Sequence, residues 1–254
     1  MANVSYLVVI PARYQSTRFP GKPLADLGGS PLIEHVWRRC CEAVDSECVI
    51  IATDDDRIRE VAQSFGARVE MTSPDCLTGT DRVAEVAGRN EADWYINVQG
   101  DEPFIEPESI RHLLNLANAA EPDVAAINAM SEITEEADFW SLTVPKVVND
   151  DKGRLLFISR AAIPHGKDAQ FRKAHRQIGI YAYRRSGLEP YFIGGEKSAL
   201  EQVEDIEILR LLQTGAKIQM FQTRHSGCAV DTVDDLERAK KIFQSNSTSP
   251  TLSA

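Results

Sequence analysis

The 254-residue chain has no zinc or disulfide framework: its five cysteines (Cys40, Cys41, Cys48, Cys76, Cys228) form an odd set without a C-x-x-C pair. Free thiols suit a reducing compartment, so a cytoplasmic location is expected. The five histidines are scattered, with no metal-ligand spacing. No apolar run approaches the ~20 residues of a membrane span, and no basic segment precedes the first apolar run, so neither membrane anchoring nor export is expected. Basic excess is also missing. Acids outnumber bases 38 to 28, for a net charge of −10, which argues against nucleic-acid or anionic-membrane partners. Two familiar phosphate motifs fail as well. No G-x-G-x-x-G follows a strand. Around Gly21-Lys22 the P-loop pattern breaks twice, with Ser16 at the first glycine position and Pro23 at the hydroxyl position.

What is present is more telling. The apolar run Tyr6 to Ile10 reads as a buried strand, and Pro11 to Leu24 follows it directly. That loop carries Arg13, Ser16, Arg18, Gly21 and Lys22. In open α/β sheets ligands bind outside the carboxyl ends of strands, so the loop reads as a polyphosphate cradle, with Gly21 allowing close backbone approach to an anion. The alternative is a basic surface turn. A second strand, Trp94–Val98, runs out into Gln99-Gly100-Asp101-Glu102-Pro103, and places Asp101 beside the first loop if the two strands are close. A third segment, Ala229 to Leu236, reads as a helix start: Thr232 caps it, with Asp234 and Asp235 in its first turn. Asp231 precedes that cap and is not explained by it. Two carboxylates from distant segments beside a phosphate cradle describe a metal–nucleotide site. A hard cation such as Mg²⁺ takes one or two carboxylates plus substrate phosphates. Unit charges ~4 Å apart interact by roughly 4 kcal/mol at an effective dielectric of 20, so a triphosphate beside Asp101 and Asp231 needs a cation.

Strand and helix patterns alternate along the chain. Strands are expected at 6–10, 48–52, 68–71 and 94–98, and helices at 32–44, 55–65, 82–88 and 107–119. This βαβ rhythm predicts an α/β fold with a doubly wound, mostly parallel sheet. Further strands are expected at 124–130, 144–148, 155–159, 177–183 and 217–222. The block from about 137 to 183 looks antiparallel, with Asn149 to Gly153 as a hairpin turn. One helix is expected over 199–213, burying Val203, Ile206 and Leu209 and leaving Glu201 on a solvated acidic face. Residues 1–243 read as a single domain with a lobe at about 137–183. The polar 244–254 segment reads as a disordered tail.

The three site motifs occur with others in a fixed order: Ala52 to Asp55, Met71 to Ser73, Thr78 to Arg82, Ser159 to Pro164, Gly179 to Tyr183 and Val230 to Thr232. The ordered set, spanning about residues 5 to 243, resembles the 3-deoxy-manno-octulosonate cytidylyltransferase (CMP-Kdo synthetase) family. The resemblance implies a nucleotide-diphospho-sugar transferase type of fold and transfer of CMP from CTP to the anomeric hydroxyl of a 3-deoxy-2-ulosonic acid, for lipopolysaccharide synthesis. It implies that Arg13 and Lys22 hold the phosphates and that Asp101 and Asp231 hold Mg²⁺, these four being the catalytic set. Pro11, Ala12, Arg13, Ser16, Lys22, Thr78, Gly79, Thr80, Arg82 and Asp101 would bind CTP. Gln99, Arg160, Gln177, Tyr181 and Glu207 would face the sugar acid. It also implies a homodimer built through the antiparallel arm. Two positions depart from the family pattern: Gln177 stands where histidine is usual, and Ile208 where glutamine is usual. Both fall in the sugar half, which leaves open a modified acceptor such as 8-amino-Kdo. A catalytically inactive nucleotide-binding regulator is the alternative of another class, and the intact Lys22, Asp101 and Asp231 argue against it.

Overall fold

The computed structural model describes residues 5–16, 18–192, 195–223 and 229–248. In chain order the first half contains β1 (Tyr6–Ala12), β2 (Asp26–Leu27), β3 (Ser30–Pro31), α1 (Leu32–Ala43), β4 (Val49–Thr53), α2 (Asp56–Ser64), β5 (Arg68–Met71), α3 (Gly79–Arg89), β6 (Trp94–Val98) and α4 (Pro107–Ala119). There follow β7 (Val124–Glu132), α5 (Glu136–Trp140), β8 (Lys146–Asn149), β9 (Leu155–Ser159), β10 (His175–Arg184), α6 (Arg185–Leu188), α7 (Ala199–Glu204), α8 (Ile208–Gln213), β11 (Lys217–Gln222) and α9 (Val233–Thr248).

Seven strands form the main sheet in the order β11-β7-β10-β6-β1-β4-β5, and β8 and β9 extend it from β10. β1 lies parallel to both β4 and β6, and β11 parallel to β7. β10 runs antiparallel between β6 and β7. β1, β4 and β6 are mostly apolar because both faces are covered, with Thr53 and Asn97 as buried polar exceptions. Val8 and Ile10 point to one face, packing with Ile33, Val36, Ile58 and Leu113 of α1, α2 and α4. Val9 and Ile50 point to the other, against Val83 and Val86 of α3 and Leu209 of α8. The expected doubly wound sheet and antiparallel block are therefore present. The hairpin turn is too: Gly153 has φ +78 and Asp150 accepts from the Lys152 and Arg154 backbone.

The 199–213 region departs from expectation. Ser198 and Glu201 form a capping box that starts α7, and Asp205 ends it in the left-handed region at φ 51, ψ 48. The break rotates Val203 out to 84% exposure, while Glu201 is buried at 1%. Glu201 pairs with Arg210 instead of facing solvent. At the other end, α9 continues through residues 244–248, so that part of the expected tail is helical. Residues 249–254 lie outside the described ones, as does Cys228.

Candidate active site

β1 and β6 are parallel neighbours, with Val9 opposite Asn97, so the loops after them leave the sheet side by side. Pairing to β6 stops at Val9, while β1 continues along β4 to Ala12. Pro11, which has no N–H, thus falls where no second partner strand needs one. Gly100 permits the close approach of the two loops: a Cβ there would lie 2.7 Å from the Pro11 carbonyl. Gly21 is left-handed at φ +72, and its N–H bonds the Tyr14 carbonyl at 2.8 Å. Its role is to turn the loop, not to offer its own N–H to an anion.

That turn aims Lys22 at the two expected carboxylates. Its Nζ lies 2.8 Å from Asp101 Oδ2 and 3.1 Å from Asp231 Oδ1. Arg18 Nη2 reaches Asp231 Oδ2 at 3.2 Å. The Val230 N–H donates to the Asp101 carbonyl at 2.9 Å, which ties the two carboxylate segments together through the backbone. Burial works against the charge on Lys22, but Asp101 and Asp231 more than offset it and raise its pKa. Asp101 and Asp231 thus converge on one cation. This donor pair, hard oxygens facing a shared cationic centre beside an open cavity, fits a Mg²⁺ completed by substrate phosphates.

The cavity holds about 560 Å³. One wall is the loop after β1 (Pro11, Ala12, Arg13, Ser16, Lys22), with Thr78 and Gly79 beside it: a Cβ on Gly79 would lie 3.1 Å from Pro11 Cγ. Gln99, Arg160 and Glu207 line it as well. Arg82 lies at its edge, 3% exposed, and is held by Asp54, Thr72 and the Ser73 carbonyl. Arg82 thereby fastens the 52–55, 71–73 and 78–82 segments to one another.

Three expected contacts are placed otherwise. Thr80 is fully buried, and both its N–H and hydroxyl go to Glu207. Gln177 and Tyr181 are not among the residues lining the cavity. Gln177 donates to Asn128 Oδ1 at 2.9 Å, and Ile208 is packed in the core beside α3. Arg160 does line the cavity, yet its guanidinium donates to the carbonyls of Glu204, Leu142 and Asp205. It acts as a brace for the wall.

Of the lining residues, sequence reading gave no role to Leu77, Lys197 and Asp205, whereas Arg18, Pro23 and Gly100 lie in motifs it singled out. Lys197 and Asp205 carry no motif; they meet only because the chain breaks at Asp205, where Lys197 Nζ lies 2.9 Å from Asp205 Oδ1. That hydrogen bond lowers the Asp205 pKa.

The sequence matches the cytidylyltransferase family over residues 7–218. It is 44% identical over 241 residues to the 3-deoxy-manno-octulosonate cytidylyltransferase of Geobacter sulfurreducens, covering 91% of this chain and 96% of that protein. The enzyme of the same name from Vibrio cholerae is 43% identical over 251 residues, with 94% and 98% covered. Among solved structures, CMP:2-keto-3-deoxy-manno-octonic acid synthetase complexed with CTP superposes with a TM-score of 0.87 at 37% identity, covering 95% of this chain and 99% of that one. HddC from Yersinia pseudotuberculosis, complexed with GMP-PN, shares the fold alone, at TM-score 0.68 and 15% identity. With this degree of identity over nearly its whole length, the chain belongs to the cytidylyltransferase family, in the group of 3-deoxy-manno-octulosonate cytidylyltransferases.

Proposed function

We propose that this protein transfers CMP from CTP to the anomeric hydroxyl of 3-deoxy-manno-octulosonate, releasing pyrophosphate. The carrying observation is the convergence of Lys22, Asp101 and Asp231 at the mouth of a cavity walled by the phosphate loop. In the reaction a bond forms between the anomeric oxygen and the α-phosphorus. The bond from that phosphorus to the bridging oxygen breaks, pyrophosphate leaves, and the hydroxyl proton is lost. Such transfer is mostly positioning and charge stabilisation. Arg13, Arg18 and Lys22 supply the cationic face for the triphosphate. The Pro11–Ala12 and Thr78–Gly79 walls hold the nucleoside. Mg²⁺, held by Asp101 and Asp231, would neutralise charge at the reacting phosphate and favour ionisation of the attacking hydroxyl. Gln99 and Glu207 face the acceptor, and Arg160 keeps that wall in place. Free Cys40, Cys41, Cys48 and Cys76 fit a cytoplasmic setting. Among the described residues no helix is long and apolar enough to cross a membrane. We also infer a homodimer through the 137–183 arm, where Trp140, Leu142 and Leu156 are exposed.

A second acceptor has one observation in its favour. Asp205, left-handed and largely exposed, adds a carboxylate to a cavity meant for anions and is paired across the rim with Lys197. An amino-substituted ulosonic acid would give it a cation. The test is pyrophosphate release with CTP and Mg²⁺ against Kdo, 8-amino-Kdo and a sialic acid. Asp101→Asn should cut turnover by at least ~10²-fold while keeping the thermal unfolding profile. Preference for Kdo establishes the first reading, and preference for 8-amino-Kdo the second. Turnover with none of the acceptors, or an unimpaired Asp101→Asn enzyme, would overturn the proposed chemistry.

A further inference from the structure

Beneath the cavity runs a chain of polar side chains linking its two halves. Gln99 Nε2 donates to Asn97 Oδ1 at 3.4 Å, and Asn97 Nδ2 to Thr80 Oγ1 at 3.3 Å. Thr80 Oγ1 donates to Glu207 Oε2 at 2.5 Å. Asn97 and Thr80 are fully buried, so neither hydroxyl nor amide is available to a ligand. Glu207 does more than end this chain. Its two oxygens accept the first backbone N–H groups of α3, from Gly79 at 3.1 Å and Thr80 at 2.9 Å. A helix N-terminus has N–H groups without intrahelical partners, and a carboxylate there is favoured by the helix dipole. The N-cap residue, Thr78, engages Asp81 and does not reach these donors. From behind, Tyr191 Oη donates to the Glu207 carbonyl at 2.8 Å, which fixes the backbone that carries the carboxylate.

The consequence is geometric. Thr78 and Gly79 form the nucleoside wall, and Glu207, 128 residues away from Gly79 in sequence, holds that wall in place. Glu207 also opens onto the cavity beside Arg160 and Gln99, where the acceptor is expected. Burial raises the Glu207 pKa, opposed by the hydrogen bonds from Thr80 and Gly79, so the carboxylate depends on those donors. An acceptor hydroxyl bonded to Glu207 would share its oxygens with the α3 amides and alter how firmly the nucleoside wall is held. A nucleotide that orders the wall would in turn orient Glu207 for the acceptor.

We propose that Glu207 is a positioning residue for the nucleotide site, and that the Glu207–Thr80–Asn97–Gln99 chain couples binding of the two substrates. The inference rests on the cytidylyltransferase reading of the cavity and adds to it a dependence of CTP binding on a residue of the acceptor side. Linkage makes the coupling reciprocal: whatever factor the acceptor exerts on CTP affinity, CTP exerts on the acceptor's.

The experiment is calorimetric titration of the full chain with CTP and Mg²⁺ in the absence of acceptor, where no turnover occurs. Thermal unfolding serves as the check on folding. Glu207→Gln keeps the shape but loses the charge and one acceptor oxygen, and should weaken CTP binding about tenfold. Thr80→Val should do the same, Thr80→Ser should restore wild-type affinity, and Glu207→Gln combined with Thr80→Val should add little to either alone. With a non-transferable CTP analogue, acceptor should tighten nucleotide binding by wild type and lose that effect in Glu207→Gln. If Glu207→Gln binds CTP as wild type does and changes only the KM of the acceptor, the positioning role is refuted. Should Glu207→Gln fail to fold, the Thr80→Val and Thr80→Ser pair decides on the same readout: equal CTP affinities refute the proposal. Wild-type protein that binds no CTP would refute the cytidylyltransferase reading itself, a result distinct from the others.

Discussion

Arg210 shows what a single side chain can fasten. Its guanidinium is 3% exposed, reaches Glu201 at 2.6 Å and Asp81 at 2.7 Å, and lies over the Tyr191 ring at 4.6 Å. Asp81 sits in the first turn of α3 and Glu201 in the first turn of α7, so one cation joins the helix at the Thr78–Gly79 cavity wall to the helix before Asp205. Glu201 was expected on a solvated face because Glu201, Glu204 and Glu207 share a helical stripe; the partner that buries it arrives from beyond the Asp205 break. Removing one partner of a buried ion pair leaves uncompensated charge in a poorly hydrated place, whereas a surface pair contributes little. Arg210→Ala should therefore cost about 3–5 kcal/mol of unfolding free energy. The contrasting change is Arg172→Ala, which parts a surface pair with Asp168 and should stay within about 0.5 kcal/mol. Urea denaturation of both variants checks this. Similar small losses in both would mean that the Arg210 cluster is hydrated and not a clamp.

At the level of elements, the start of α9 sets the position of Asp231. Asp235 accepts from the backbone N–H groups of Asp231 and Thr232, and its own N–H donates to Thr232 Oγ1. Burial pushes the Asp235 carboxyl up, but hydrogen bonds from Thr232, Arg238 and the backbone prevail and its pKa is lowered. A carboxyl with a lowered folded pKa stabilises the fold above its unfolded value and loses that contribution as pH falls through the folded one. Asp235→Asn should thus cost about 1 kcal/mol near neutral pH, and its gap from wild type should close once the pH drops below the ordinary aspartate value of 3.8. Thermal melts across that range test it; a gap independent of pH would show that the charge on Asp235 does not matter. This cap was readable because Thr232 and Asp235 are three residues apart. Strands β5, β6, β9 and β11 were readable to the residue, since apolar runs bounded by turn-formers leave little choice of limits. The 199–213 stretch misled because its apolar spacing continues through Asp205, and periodicity does not register one left-handed residue. That the loop after β1 meets Asp101 and Asp231 was legible from strand-end and helix-start motifs. The contact of Glu207 with α3 was not, because no local pattern records a pairing between residues so far apart in the chain.

The whole molecule raises the question of what the arm is for. β8 and β9 branch from the main sheet at β10, and the segment is anchored from inside: Lys146, fully buried, donates to the Ser141 and Arg160 carbonyls. Burial lowers the Lys146 pKa, a cost that a freely moving arm would have no reason to carry. Arg160 then draws the Leu142 segment to the Glu204–Asp205 break, bringing exposed Leu142 (69%) towards the chain that carries exposed Val203 (84%). Leu156, on β9, is 54% exposed as well. Single exposed apolar residues are ordinary, and several on segments braced to one another are what a contact surface requires. A second copy is the partner we infer, and each copy carries a net charge of −10. Two such subunits repel over distances comparable with the Debye length, about 10 Å at 0.1 M salt, so a dimer held by apolar contact should tighten as salt rises. Leu142→Asp with Leu156→Asp would place charge in that contact and should yield monomers without lowering the melting temperature of the isolated subunit. Because Arg160 braces the cavity wall that we propose for the acceptor from the same segment, these monomers should show a raised acceptor KM with the CTP KM nearly unchanged. Sedimentation velocity at two salt concentrations, followed by steady-state kinetics, provides the check: a wild type that is monomeric throughout, or a dimer that weakens with salt, would rule out the arm as the apolar interface.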